Sequence, residues 1–294
     1  MPLVGERRAT LVLMLALLLV LSFVLVSLPQ TNIVHAQLYV TILADGTISP
    51  ESAPVQRNGD VYTLTSSITN LRVERSNIII DGNGMHLGNN IGTETNIILR
   101  NVRNVIVKNC VIGRSDFGIV LDSVSGITIS GNIISEADIS MYWEAAAIHI
   151  KGETSNIRIV GNTIKNSKWG IIIYDESPNL IIHHNNFVDN VRQDLYVGSR
   201  YISSFSAAWD DGKEGNYWSN YRGVDNDGDG IGDTPYKIYE NITDNYPLMK
   251  PVVLAIIPEF PSWTPLLIML LAIVAVALIY RRNLHNPNHG RRAK

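Results

Sequence analysis

Asp225-Asn-Asp-Gly-Asp-Gly-Ile-Gly-Asp233 is the segment whose residue types and spacing speak most directly of chemistry. Carboxylates stand at its first, third, fifth and ninth positions, and glycines let the backbone curl so that alternate side chains converge. Asp225, Asp227, Asp229 and Asp233, with the carbonyl of Ile231, match the opening nine positions of a calcium loop of the EF-hand type. The twelfth position is Tyr236 rather than Glu, so a further ligand must come from elsewhere, and Asp244 and Glu214 are the candidates. The expected ion is calcium in a structural role, set against a plain acidic, solvated loop.

The histidines carry a weaker signal. His183 and His184 are adjacent, and on a regular strand they point to opposite sides and cannot share an ion. With His86 and His149 they read as turn or surface residues, so copper is possible without positive support from spacing. Acidic side chains that could flank a glycan groove include Asp116, Asp122, Glu136, Asp138, Glu144, Asp175 and Glu176, but nothing in their spacing singles out a catalytic pair. Tyr142, Trp143 and Glu144 put two aromatics beside a carboxylate in an inserted loop, a possible glycan contact. Asn241-Ile-Thr243 is a glycosylation sequon.

The elements that position these groups come from a repeat. One nine-residue phrase recurs from Asn77, Asn104, Gly126, Asn156 and Asn179, with spacings of 27, 22, 30 and 23 residues. Its second and fourth positions are always aliphatic: Ile78/Ile80, Val105/Val107, Ile127/Ile129, Ile157/Ile159 and Leu180/Ile182. Alternation with period two is a strand with one buried face. The seventh position is Asn83, Cys110, Asn132, Asn162 or Asn185, which predicts a tight bend whose amides stack in a ladder. The ninth is Met85, Ile112, Ile134, Ile164 or Phe187, which opens a second strand. A further apolar alternation upstream, as in Gly118–Leu121 and Gly170–Tyr174, supplies a third. Three short strands per coil predict an all-β parallel solenoid, a right-handed β-helix.

Around the repeats, residues 37–75 are expected to form an N-terminal cap and first coil, 76–205 the repeats, and 206–257 an aromatic C-terminal cap carrying the Asp-rich loop. Residues 1–36 read as a signal peptide: Arg7 and Arg8, the apolar run Leu11–Val26, and Val34-His35-Ala36 before the cut. Residues 258–262 form a proline-broken linker, 263–280 an apolar stretch long enough to span a bilayer, and 281–294 a basic tail on the cytoplasmic side. The chain holds 24 Lys and Arg against 27 Asp and Glu; seven of the basic and two of the acidic residues lie in these ends, leaving the body at −8. That charge argues against nucleic acid as a partner. Cys110 is the only cysteine, so no internal disulfide forms.

The repeat phrases, Asp81-Gly-Asn-Gly84 and the cap motifs Trp209-Asp-Asp-Gly, Gly215-Asn-Tyr-Trp-Ser219, Thr234-Pro-Tyr236 and Asp244-Asn-Tyr-Pro-Leu248 resemble the β-helix domain of NosD-type periplasmic proteins. They also resemble archaeal surface proteins with carbohydrate-binding and sugar-hydrolase repeats. The tail Pro258 to Arg282 is similar to PEF-CTERM sorting signals of archaea, which implies an archaeosortase-type processing enzyme as a partner. The resemblance implies a right-handed β-helix and, for NosD, a link to copper delivery to nitrous oxide reductase. Neither the Gly-His-Gly and Arg-Ile-Lys motifs of pectinases nor the Asp-Pro-His-Glu motif of uronan epimerases is present. The expectation is a non-catalytic, membrane-anchored surface protein presenting a face to glycan or envelope components. A glycan-cleaving or glycan-modifying enzyme and a NosD-like copper-handling protein are the alternatives.

Overall fold

The computed structural model describes residues 38–88, 93–137, 144–198, 205–239 and 242–253. The regular elements in these stretches are strands. The expected signal peptide, linker, membrane span and tail lie outside the described residues, as do Tyr142, Trp143 and Asn241. Among the described residues no helix is long and apolar enough to cross a membrane.

Alternating aliphatic residues build three sheets that the chain visits in turn. The first stacks Tyr39–Ile42, Asn70–Val73, Thr93–Arg100, Ser115–Asp122, Ala146–Lys151, Trp169–Ile173 and Gln193–Val197 in parallel. The second runs from Val61–Leu64 through Ile78–Asp81, Val105–Lys108, Ser125–Ser130 and Ser155–Val160 to Leu180–His183 and Ala207–Ala208. The third holds the short strands His86–Leu87, Val111–Ile112, Ile133–Ser135, Thr163–Lys165, Asn186–Val188 and Tyr217–Trp218. This is the parallel β-solenoid that the repeat predicts. Among the described strands, antiparallel pairing involves Ile48–Ser49, the hairpin partner Val55–Asn58, and the pair Tyr236–Tyr239 and Ile242–Asp244, with one isolated antiparallel bridge between Ile231 and Leu248.

Register puts like on like. Ile80, Val107, Ile129, Ile159 and Ile182 form one row, each no more than 1% exposed. The first phrase departs from the expected columns. Leu87, not Met85, stands in the row of Ile112, and Gly82, not Asn83, lies against Cys110.

Two asparagine ladders hold the bends. The outer one falls at the first position of the phrase, where Asn77, Asn104, Asn156 and Asn179 all have left-handed backbone. Asn104 donates to Asn77 and Asn179 to Asn156, each at 2.9 Å. The inner one is buried. The N–H of Cys110 donates to Asn132 Oδ1 at 2.9 Å, and those of Asn132, Asn162 and Asn185 donate to the Oδ1 of Asn162, Asn185 and Asn216, each at 3.0 Å. The side-chain Nδ2 atoms of Asn132, Asn162 and Asn185 donate in the same direction, also at 3.0 Å. The ladder ends on Asp244, fully buried, whose Oδ2 accepts from the Asn216 N–H at 2.7 Å and from Trp218 Nε1 at 2.8 Å. Burial pushes the Asp244 carboxyl up, and these donors oppose the shift.

Aromatic residues carry the core into the C-terminal cap. Phe187 stacks on Trp218 with ring centres 4.4 Å apart, and Trp218 on Tyr236 at 4.7 Å. Offset stacking of this kind adds to the burial of large apolar surface.

Candidate functional site

His183 ends the strand Leu180–His183, and His184 follows in left-handed backbone with φ of 57°. The cause is positional. The sixth place of the phrase is the bend, and Asn109, Gly131 and Gly161 occupy it elsewhere with φ of 55°, 64° and 68°. Histidine joins asparagine and aspartate among the residues that tolerate this region. The expectation that the pair points to opposite sides is therefore overturned. The bend turns both rings to one side, and their Nδ1 atoms stand 2.5 Å apart, closer than hydrogen-bonded nitrogens ordinarily sit.

A turn from the cap completes the group. Asp211 accepts the N–H groups of Lys213 and Glu214 on one carboxylate oxygen, each at 2.9 Å, and its own N–H donates to the Glu214 carbonyl at 3.0 Å. A carboxylate oxygen of Asp211 and one ring nitrogen each of His183 and His184 lie within 4.8 Å of one another. The N–H donors in its turn, with help from the two rings, hold the Asp211 carboxyl below its usual range. Glu214 Oε2 lies 2.7 Å from His184 Nε2. A carboxylate only accepts, so that nitrogen bears the proton and Nδ1 keeps its lone pair when the ring is neutral. Burial, then the neighbouring His184, lowers the pKa of His183 and favours the neutral, ligating form.

The backbone holds the group from both sides. His184 N–H donates to the Gly215 carbonyl at 2.7 Å, and the His183 carbonyl accepts Asn185 Nδ2 at 3.0 Å. The turn is tied to the cap through Asp210, which accepts the N–H and Nδ2 of Asn245 at 3.3 and 3.1 Å. Asp211 went unrecognised in the sequence; a histidine in a column of glycine and asparagine was the signal that could have found the site.

In the Asp-rich loop, Asp225, Asp227 and Asp229 bring one oxygen each within 4.8 Å. Asp225 accepts the N–H groups of Gly228 and Gly230 at 2.7 and 3.0 Å, and Asp229 that of Ile231 at 2.8 Å. Asp233 turns instead to Asn226, accepting its N–H and Nδ2 at 3.0 and 2.6 Å. The two residues expected to supply a further ligand are committed elsewhere: Asp244 closes the ladder, and Glu214 pairs with His184.

His149 corrects a second expectation. It is no surface or turn residue but lies in the strand Ala146–Lys151, 4% exposed, between Phe117 at 4.8 Å and Tyr174 at 5.2 Å. Neither ring nitrogen has a hydrogen-bond partner among the described residues. Burial drives its pKa down to about 4, with Lys151 adding to the fall and Asp122 and Asp175 opposing it. The folded value lies below the unfolded one, so the unfolded chain binds the extra proton and this part of the stability is lost as pH falls from 6.5 towards 4. His149→Phe is expected to lose less stability between pH 7 and pH 5 than the parent, by about 1–2 kcal/mol, in paired urea titrations. Equal losses in the two proteins would refute the assignment.

Three of the acidic residues considered for a groove hold structure, and Asp138 lies outside the described residues. Asp122 pairs with Arg100 at 2.9 Å, and Asp175 accepts the Gly152 N–H at 2.6 Å. Glu144 bonds to Tyr174.

Comparison with known proteins bears on the same region. Residues 40–223 match the family described as "Periplasmic copper-binding protein (NosD)". The chain is 31% identical over 143 residues to the "Probable ABC transporter binding protein NosD" of Pseudomonas aeruginosa, covering 47% of this chain and 32% of that protein. It is 31% identical over 135 residues to the protein of the same name from Stutzerimonas stutzeri, covering 43% and 30%. The aligned stretch thus spans about a third of each relative's length. His183, His184, Asp211 and Glu214 fall inside the family match, and the Asp-rich loop falls beyond it. With more than half of its length matched, and with the stacked parallel coils described above, this chain belongs to the NosD family.

Proposed function

We propose that the chain is an exported, membrane-held, right-handed β-solenoid that binds one copper ion in its divalent state through His183, His184 and Asp211, and catalyses no reaction itself. The observation that carries this reading is the convergence of one ring nitrogen each of His183 and His184 with an Asp211 carboxylate oxygen, all within 4.8 Å of one another. Two imidazole nitrogens and a carboxylate oxygen form a donor set suited to divalent copper. Univalent copper favours sulfur, and Cys110 is out of play: it is fully buried, its thiol is pushed up to about 12 by burial, and its N–H belongs to the ladder. The family's description as periplasmic and copper-binding, and the apolar run Leu11–Val26 behind Arg7 and Arg8, support the same reading.

The test is copper titration of the metal-free full-length chain, followed by electron paramagnetic resonance. One equivalent of Cu(II) is expected to bind with hyperfine structure from two nitrogens. His183→Ala should weaken binding by about 100-fold or more, a directly bound ligand outweighing its supporting partners. Copper bound equally well by parent and variant would end the proposal.

For the Asp-rich loop we propose a structural calcium held by Asp225, Asp227 and Asp229, with the Ile231 carbonyl and the Asp233 oxygen that Asn226 does not hold, Oδ1, completing the shell. It rests on the spacing of the motif and the convergence of three carboxylates. Millimolar calcium is expected to raise the unfolding temperature of the parent and to leave Asp229→Asn unmoved. An equal shift in both proteins would count against it.

A further inference from the structure

Resting on the copper reading above, we infer that Glu214 is the positioning residue that selects which nitrogen of His184 faces the ion, and so sets the affinity of the site. A neutral imidazole can carry its proton on either nitrogen, and its ring can turn either edge towards a neighbour. Glu214 removes both freedoms. Its Oε2 sits 2.7 Å from His184 Nε2, so the proton stays there and the ring cannot rotate without losing the bond. Nδ1 is thereby fixed towards His183 before any ion arrives, with the Asp211 carboxylate in the same group. With His184 lacking a proton on Nδ1, the ion-free pair is held by the Nδ1–H of His183 donating to it. To offer its own Nδ1 as a ligand, His183 would carry its proton on Nε2 instead.

The carboxylate that does this comes from the same turn as the third ligand. Asp211 accepts the N–H of Glu214 at 2.9 Å and donates its own to the Glu214 carbonyl at 3.0 Å. One short turn therefore delivers a ligand to the ion and a support to the opposite ligand. Carboxylate support of a ligating imidazole also raises its basicity, and losing such a partner typically costs 10–100-fold in metal affinity. The Glu214 side chain is 51% exposed and packs no core, so its replacement leaves the fold intact.

The experiment compares the full-length chain with E214A, E214Q, K237A and the double variant H183A/H184A, each titrated with Cu(II) against glycine as a competing chelator and examined by electron paramagnetic resonance. E214A is expected to bind about 10–100-fold more weakly, with altered nitrogen hyperfine structure. E214Q, whose amide oxygen still accepts the Nε2–H, should recover most of the affinity, and K237A, at an exposed strand position outside the site, should match the parent. E214A equal to the parent, or E214Q as weak as E214A, overturns the role of Glu214 and leaves the site standing. A double histidine variant that binds as the parent does overturns the site itself, and this inference with it.

Discussion

Asn162→Ala is expected to destabilise the protein by about 3–5 kcal/mol, since each buried polar group left without a partner costs about 1–3 kcal/mol. Asn162 is fully buried. Its Oδ1 accepts both the N–H and the Nδ2 of Asn132 at 3.0 Å, while its Nδ2 donates to Ile129 O at 2.8 Å and to Asn185 Oδ1 at 3.0 Å. Alanine removes these bonds at once, strands the Asn132 N–H in a site closed to water, and leaves a small void. At about 2–4 °C per kcal/mol for a domain of this size, the unfolding midpoint should fall by roughly 6–20 °C. Asn156→Ala is the matched control. Its ladder lies outside, where water can replace the amide bond to Asn179, so its cost is the strain of alanine at φ of 55°, about 1–2 kcal/mol. Thermal melts of the two variants should separate clearly. Equal midpoints would mean that the inner ladder contributes no more than the outer one.

Gly215→Ala is the second large effect. A Cβ at Gly215 would lie 1.9 Å from Asp244 Oδ1 and 2.5 Å from its Cγ. The carboxylate cannot step aside, because it is fully buried and held on both oxygens by Asn216, Trp218 and Tyr246. Either the cap shifts or the end of the ladder breaks, and the expected loss is about 3 kcal/mol or more. The damage should reach the histidines, since the Gly215 carbonyl accepts the His184 N–H and the Gly215 N–H donates to Tyr246. Gly161→Ala sets the scale. Its Cβ would meet nothing within 4 Å, and only its left-handed backbone, φ of 68°, is strained. Its loss should stay near 1–2 kcal/mol. Chemical unfolding of both proteins decides the matter, and a Gly215→Ala protein as stable as Gly161→Ala would sink the account of the cap.

The coils were legible because side-chain rows repeat at period two and bends recur in fixed columns. Ile127, Ile157 and their equivalents could be placed in the core from position alone. The first phrase misled, because Gly82–Gly84 widens its bend and moves Leu87 into the place expected of Met85. The histidine pair was misread for a related reason. Treating the phrase as one extended strand ignored that its sixth residue is a bend, where a side chain leaves the alternation. Asp211 was beyond reach of local pattern: it meets the histidines only because a cap turn replaces the next coil's strand edge, an arrangement set by contacts about thirty residues apart. His149 escaped because an outward position on a solenoid is normally wet, whereas here Phe117 and Tyr174 close over it.

The inner ladder has a direction. Each link from one ladder residue to the next gives hydrogens towards the C-terminal end, while the other Nδ2 hydrogen returns to a carbonyl of the preceding coil, and the run finishes on a carboxylate that can only receive. The interior coils are therefore interchangeable modules: a duplicated one would fit anywhere along the series, joining its neighbours as the originals do. The last is not a module, since a chain cut short of Asp244 would end in hydrogens with nowhere to go. Lengthening such a protein is thus an operation on its middle, and its terminus is a fixed point that variation in length must leave alone.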